Sequence, residues 1–190
     1  MAVTGTPGTG KSTFAKRLAS RLRSAGAQPA LIEINDLVHK HKLYSGKDKS
    51  GAKIVRIAPL NKMLAASIKK SDGVAVVVGH LVPELRINQK ITVVTRLDLI
   101  ALEKRLKARR YGIEKMRENL ISEAVDYCGA NSSRKGAEQY QVESTKEKDE
   151  VIRYILGVAK GAKPKRPTSV EHAKLGQLVH LIDKGNKYGF

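Results

Sequence analysis

The sequence predicts an α/β fold, an open and mostly parallel sheet with helices on both sides. Three observations carry that expectation. Short apolar runs alternate with segments of helical period along most of the chain, the pattern of strand–helix–strand crossovers. One run, Val74-Ala75-Val76-Val77-Val78, has no polar alternation, as expected of a central strand covered on both faces. A glycine-rich segment, Gly5-Thr6-Pro7-Gly8-Thr9-Gly10-Lys11-Ser12, stands between a strand-like run and a helical one.

Taken in order, Met1-Ala2-Val3-Thr4 reads as a short buried strand. It opens at a methionine, so either the strand is short or the true start lies upstream. From Ser12 to Ala25, Phe14, Leu18 and Leu22 recur every fourth residue while Lys16, Arg17, Arg21 and Arg23 take other faces. That is an amphipathic helix closed by Gly26. Ala30 to Ile34 reads as a strand, and Asn35-Asp36 as the N-cap of a short helix through Leu43. A polar, basic stretch from Tyr44 to Lys53 and an apolar run, Ile54 to Ile57, precede a helix that Pro59 opens and that runs to Lys70.

Asp72-Gly73 turns the chain into Val74–Val78, and Ile91 to Val94 makes another strand. Leu99, Leu102 and Leu106 mark a helix ending near Arg109, and a short link leads to a further helix from Ile113 to Tyr127. Gly129 to Gly136 reads as a loop, Gln141-Val142-Glu143 as the last strand, and Lys148 to Lys160 as the last core helix. Gly161 to Pro167 reads as a linker. Val170, Leu175, Leu178, Val179 and Ile182 beyond it suggest one more helix or a tail that orders on a partner.

The glycine segment fits G-x-x-x-x-G-K-[ST]. Glycines let the backbone adopt positive φ and bring successive N–H groups around phosphate oxygens. Lys11 supplies a point charge for the β- and γ-phosphates, and the Ser12 hydroxyl is placed for magnesium. The helix that starts here points its positive end at the same anion. Strand, loop and helix occur in the order this chemistry requires.

Composition narrows the setting. At 190 residues with 41% hydrophobic residues the chain is expected to bury one domain core. No apolar run approaches the roughly 20 residues that span a bilayer, and no secretory leader or membrane partner is expected. The one cysteine, Cys128, rules out an internal disulfide and fits a reducing compartment as a free structural thiol. The formal net charge is +18, of which +11 falls in residues 1–70. A nucleotide site needs only part of that, so a polyanionic partner such as RNA is expected, held through its backbone. With 4% aromatics and no Trp, stacking on single-stranded bases is poorly supported. The pair His39 and His41 projects to different helix faces, and His172 and His180 are too far apart to suggest a metal site.

The glycine loop alone names a nucleotide and no reaction. The guanine-reading N-K-x-D is missing, because Asn61-Lys62-Met63-Leu64 has no acid. Arg105, Arg109, Arg110 and Arg117 flank a very short link, like the lid of a small nucleoside monophosphate kinase, whose arginines neutralise the transferred phosphoryl group. The loop, Asn35-Asp36-Leu37 with Leu43-Tyr44, Gly79-His80, Arg96-Leu97-Asp98, and Arg105 to Arg109 running into Tyr111 and Glu118-Asn119 occur in one order. In that set the chain resembles the adenylate kinase isoenzyme 6 family over roughly residues 1–160.

The resemblance implies a P-loop, adenylate-kinase-like three-layer sandwich. It implies a monophosphate-binding insertion over about 36–70, a short lid over about 105–120, and a basic extension over 161–190. It also implies ATP and AMP as substrates, Mg2+ as cofactor, and adenylate kinase and ATPase activities. A role in maturation of the small ribosomal subunit follows, with a platform ribosomal protein and ribosomal RNA as partners, in the cytoplasm or, in a eukaryote, the nucleus. Residue by residue, Gly8, Thr9, Gly10, Lys11, Ser12 and Thr13 hold the triphosphate, with Ser12 on magnesium. Asp36 stands near the acceptor or attacking water, Arg109 closes from the lid with Arg105 beside it, and Thr145 borders the adenine. His80 orients a water, a task suited to imidazole near neutral pH.

One departure stands out. Many relatives have a carboxylate two residues before that histidine, where this chain has Val78. Asp36 and Asp98 are the replacements that topology suggests. Two other readings stay open: a housekeeping nucleoside monophosphate kinase with a basic surface of no special meaning, and an ATP-gated switch that binds RNA or a ribosomal protein with vestigial catalysis. Val78 favours the switch and the lid arginines favour the catalysts.

Overall fold

The computed structural model describes residues 1–48, 51, 53–133, 136–167 and 177. Five parallel strands form the central sheet in the order β2-β5-β1-β6-β7: β1 is Ala2–Thr4, β2 Ala30–Glu33, β5 Ala75–Val78, β6 Ile91–Thr95 and β7 Glu138–Val142. β1 lies at the centre, and both β5 and β6, its neighbours, are almost wholly buried. That burial explains the unbroken apolar run of β5 and the lack of charged residues in β6.

Helices cover both faces. α1 (Lys11–Ser24) and α7 (Thr145–Ala159) pack on one face, where Phe14, Leu18, Leu22, Val151 and Ile155 meet Val3, Val78 and Val93. α2 (Ile34–Lys40) and α3 (Ile57–Lys69) cover the other, with Ile34, Leu60 and Leu64 against Ala2 and Val77. α4 (Leu99–Ala108) and α5 (Ile113–Ala124) form a hairpin with its own core of Leu99, Leu102, Leu106, Met116 and Leu120. Consecutive residues of β5 therefore face opposite layers, as the two-residue period of a strand requires. No helix among the described residues is long and apolar enough to cross a membrane.

Several local expectations need correction. Asn35-Asp36 is not the cap of α2, because Glu33 occupies that position with extended backbone and the helix begins at Ile34. Pro59 lies in the first turn of α3 rather than at its opening residue. The polar, basic stretch holds β3 (Tyr44–Lys47), which pairs antiparallel with β4 (Lys53–Val55) at the start of the apolar run. Their residues are mostly exposed, so no apolar alternation announced them. Gly129, expected to start a loop, lies inside α6 (Tyr127–Ser132), which begins from Asp126 in a left-handed conformation. The last strand starts at Glu138, earlier than expected. The helix expected around 170–182 lies outside the described residues.

Candidate functional site

The carboxyl end of β1 leads straight into the glycine loop. Gly5, Gly8 and Gly10 all take positive φ, at 138°, 99° and 99°. A Cβ on Gly5 would lie 2.3 Å from the Thr95 carbonyl oxygen, so only glycine lets the loop press against β6. Gly10 is the left-handed N-cap of α1; no side chain caps this helix and its first turn holds no acid. A helix start left this way presents its amides and partial positive charge to an anion.

Thr9 serves the loop rather than the cleft. Its buried hydroxyl bonds the Thr6 carbonyl at 2.9 Å and Thr95 Oγ1 at 2.8 Å. Thr13 is exposed on α1 and does not line the cleft. Lys11 does, and its ammonium donates to the Thr6 carbonyl at 3.0 Å. Burial lowers the Lys11 pKa to about 8, with Arg109 pushing the same way. Proton loss from this lysine thus becomes possible near physiological pH.

The cleft above the loop has a volume of about 700 Å³, within the range of small-molecule sites. Pro7, Gly8, Lys11 and Ser12 line its base. Asn35, Val38 and His39 of α2, Lys53 and Val55 of β4, and Arg109, Tyr111, Lys115 and Glu118 at the α4–α5 hairpin also line it. His80 joins the lining after β5. Burial, reinforced by the charges of Lys11 and Lys115, lowers its pKa to about 4. The imidazole is therefore neutral and can accept a proton at neutral pH.

The α4–α5 hairpin is joined to the loop. Arg105 Nη1 donates to the Gly8 carbonyl at 3.1 Å. A Cβ on Gly8 would lie 2.8 Å from Leu102 Cδ1, so α4 rests on the loop itself. Arg109 ends α4, and Arg110 turns the chain with φ 57°.

Other expected residues are not brought to the cleft. Asp36 is exposed in the first turn of α2 and does not line it. Thr145 is the exposed first residue of α7, next to the Ser144–Glu147 capping box, and is not part of the lining either. Asp98 caps α4 by accepting from the Ala101 amide at 3.0 Å, which removes it as a replacement acid. The carboxylate that arrives beside the glycine loop is Glu33, which accepts from the Ser12 hydroxyl at 3.2 Å. Its signal in the sequence was a lone charge at the carboxyl end of an apolar strand. Cys128 also lines the cleft as a buried thiol, its pKa raised chiefly by burial.

The AAA domain family matches residues 1–126. A Methanococcus maripaludis protein named "Putative adenylate kinase" is 33% identical over 82% of this chain and 86% of its own length. Archaeoglobus fulgidus and Methanocaldococcus jannaschii proteins of the same name are 31% and 29% identical, each over 87% of this chain and covering 85% and 89% of their own lengths. The chain belongs to the adenylate-kinase-like family. Among solved structures, shikimate kinase from Bacteroides thetaiotaomicron superposes with a TM-score of 0.51 at 14% identity, over 84% of this chain and 96% of that one. That likeness shows the P-loop kinase fold.

In this adenylate-kinase-like chain the Arg96-Leu97-Asp98 segment is architectural. Arg96 and Glu123, each with a side chain 1% exposed, pair at 3.1 Å, and Arg96 also meets Asp126. Glu123 accepts in addition from the Leu97 amide at 3.0 Å, which fixes the exit of β6 toward α4. The donors at the cleft base suit magnesium, a hard cation that takes oxygen from one or two carboxylates and from substrate phosphates. Ser12 and Glu33 provide a hydroxyl and a carboxylate side by side. Among the described residues no group of three or more His, Cys, Asp or Glu forms a self-sufficient metal cage.

Proposed function

We propose that the chain transfers the γ-phosphoryl group of ATP to AMP, giving two ADP, and hydrolyses ATP when the acceptor is absent. The observation that carries this reading is one cleft whose lining includes Lys11 and Ser12, His39 and Lys53, and Arg109. Such a cleft suits two nucleotides whose phosphate ends meet at the glycine loop. The names of the archaeal relatives support the same reaction.

The residues divide the work as follows. The amides of Gly8, Gly10 and Lys11 and the Lys11 ammonium hold the triphosphate. Ser12, with Glu33, would hold magnesium, which when bound neutralises phosphate charge. An acceptor oxygen forms a bond to the γ-phosphorus while the bond to the β-phosphate oxygen breaks. Arg109 offsets the charge that develops, and Arg105 keeps the lid helix on the loop. For hydrolysis, neutral His80 orients a water and can take its proton. Asp36 and Thr145 receive no role, given where they lie.

Measuring ADP formation from ATP with and without AMP tests the reading. Strong dependence on AMP supports the kinase, and turnover independent of AMP supports the ATPase. Lys11→Ala should abolish both, and turnover surviving in that variant refutes the site.

A second reading concerns partners. The net charge of +18, with Lys16, Arg21 and Arg23 exposed on α1 outside the cleft lining, favours a polyanionic partner and supports action in small-subunit maturation. Salt-sensitive, ATP-dependent co-purification of small-subunit RNA and its platform protein from a ribosome-containing lysate tests it. A housekeeping kinase would bring down neither.

A further inference from the structure

The carboxyl end of β5 reaches the cleft with no acid. Val78, 1% exposed, lines the site there, and β5 carries only Ala75 to Val78. The nearest strand supplies one. In the β2–β5 ladder Glu33 is the register partner of Val78, just as Ile32 is the partner of Val77. Partners on adjacent parallel strands share a face of the sheet. Ile32 and Val77 pack together in the α2–α3 layer, while Val78 packs with Phe14 and Ala15 of α1. Glu33 and Val78 therefore share the α1 side, where the Glu33 carboxylate meets the Ser12 hydroxyl at 3.2 Å.

Among the described residues the Ser12 hydroxyl is the hydrogen-bond partner of that carboxylate. Glu33 is the N-cap position of α2, yet its side chain makes no capping hydrogen bond. Of the other acids near the cleft, three are engaged and one, Glu118, lines it from a different element. Glu84 meets the Tyr127 hydroxyl, Glu123 is paired with Arg96, Asp98 caps α4, and Glu118 approaches from α5. A carboxylate in contact with the hydroxyl that follows the P-loop lysine is placed to act on the cation bound with the nucleotide.

We propose that Glu33 couples ATP binding to the divalent cation in this chain, supplying from edge strand β2 the carboxylate that β5 lacks at Val78. The inference rests on the reading that the cleft binds ATP with magnesium. Coulomb's law gives it a signature no structural role would share. Without metal, the Glu33 charge repels the triphosphate. With metal between them, the same charge attracts.

Calorimetric titration of the full chain with ATP, in EDTA and in excess Mg2+, tests the proposal, alongside Mn2+ titration of the ATP complex followed by electron paramagnetic resonance. In Glu33→Gln, metal-free ATP should bind equally well or more tightly, while the affinity gained with Mg2+ and the Mn2+ affinity should each fall at least about tenfold. Adding Val78→Asp to Glu33→Gln should restore part of the coupling, because the new acid lies at the register partner. Unchanged coupling in Glu33→Gln overturns the proposal. Equal loss of metal-free and metal-dependent binding also overturns it, since the residue would then serve the fold or the loop. If the unaltered chain binds no ATP in either condition, the functional reading itself fails, an outcome distinct from both.

Discussion

The guanidinium of Arg96 and the carboxylate of Glu123 meet at 3.1 Å where both side chains are buried. Their location explains the cost of separating them. Arg96 directly follows β6, and Glu123 holds it from α5 while also accepting from the Leu97 amide. The α4–α5 hairpin is thereby tied to the sheet. Truncating Glu123 takes the acceptor from the Leu97 amide and leaves the buried Arg96 charge with only Asp126 and a backbone carbonyl to offset it. Glu123→Ala is expected to lose about 3–5 kcal/mol of unfolding free energy, as is usual for a broken buried pair. Urea denaturation monitored by circular dichroism reads the loss. Arg96→Met combined with Glu123→Leu should recover part of it, but not the share owed to the Leu97 amide and Asp126.

A glycine pair separates backbone strain from steric exclusion. Gly5 and Gly26 both have positive φ, 138° and 87°. A Cβ on Gly26 would meet nothing within 4 Å, whereas on Gly5 it would lie 2.3 Å from the Thr95 carbonyl. Gly26→Ala should cost about 1 kcal/mol, from conformation alone. Gly5→Ala adds a backbone overlap that no side-chain rotation relieves, so it should cost more and move the loop. Thermal unfolding ranks the two, and ATP affinity should fall only in the Gly5 variant.

What the sequence disclosed follows physical lines. β1, β5, β6, α1 and α7 were readable because burial on one or both faces writes its period into the residues: Val74 to Val78 could scarcely be anything but an interior strand. The glycine loop was readable because phosphate chemistry dictates its residue types. β3 and β4 left no such record, since their residues are mostly exposed and the pairing comes from backbone hydrogen bonds. α6 was hidden for a related reason. It begins from Asp126 in a left-handed conformation, a geometry that composition does not announce. At the site, motif position led toward Asp36 and Thr145, while the fold brought Glu33. A strand that ends one residue earlier than expected turns Glu33 into the last residue of β2 and sends Asp36 into an exposed helix turn.

Lys11 gives ATP binding a pH dependence of known sign. Its pKa of about 8 in the free protein means that part of the population is neutral at that pH. Bound phosphate favours the charged form and raises the pKa. Binding near pH 8 must therefore take up protons, and affinity must fall as pH rises through about 8. Titrations in buffers of different ionisation enthalpy measure the uptake. The apparent enthalpy should vary with buffer at pH 8 and much less near pH 7. Lys11→Arg should abolish the variation, because its side chain stays charged throughout.

Arg109 and Arg105 should differ in kind when removed. Arg109 ends α4 and faces the cleft, so its interaction with phosphate grows as charge develops during transfer. Arg109→Ala is expected to lower kcat by about 10²-fold or more with a smaller change in KM, the pattern of a lost transition-state donor. Arg105 instead binds the Gly8 carbonyl at 3.1 Å. Its removal should loosen the loop and raise the KM for ATP more than it lowers kcat. Steady-state kinetics of ADP formation, with each substrate varied in turn, separates the two patterns.

In the proposed hydrolysis, His80 is expected to set the acid limb. An exposed histidine would gain its proton near 6.5, but burial and the nearby Lys11 and Lys115 charges hold His80 at about 4. The neutral imidazole therefore persists through mildly acidic conditions. The rate of ATP hydrolysis without AMP should show no inflection near pH 6.5 from this group and should fall only as pH approaches about 4. His80→Asn keeps a polar side chain but cannot take a proton in this range. It should slow AMP-independent hydrolysis by about 10²-fold, the usual yield of a positioned base, and affect transfer to AMP much less, because a phosphate acceptor arrives already ionised. A pH–rate profile with an inflection near 6.5 that vanishes in the variant would show instead that His80 titrates as an exposed imidazole and that the cleft is wetter than its packing implies.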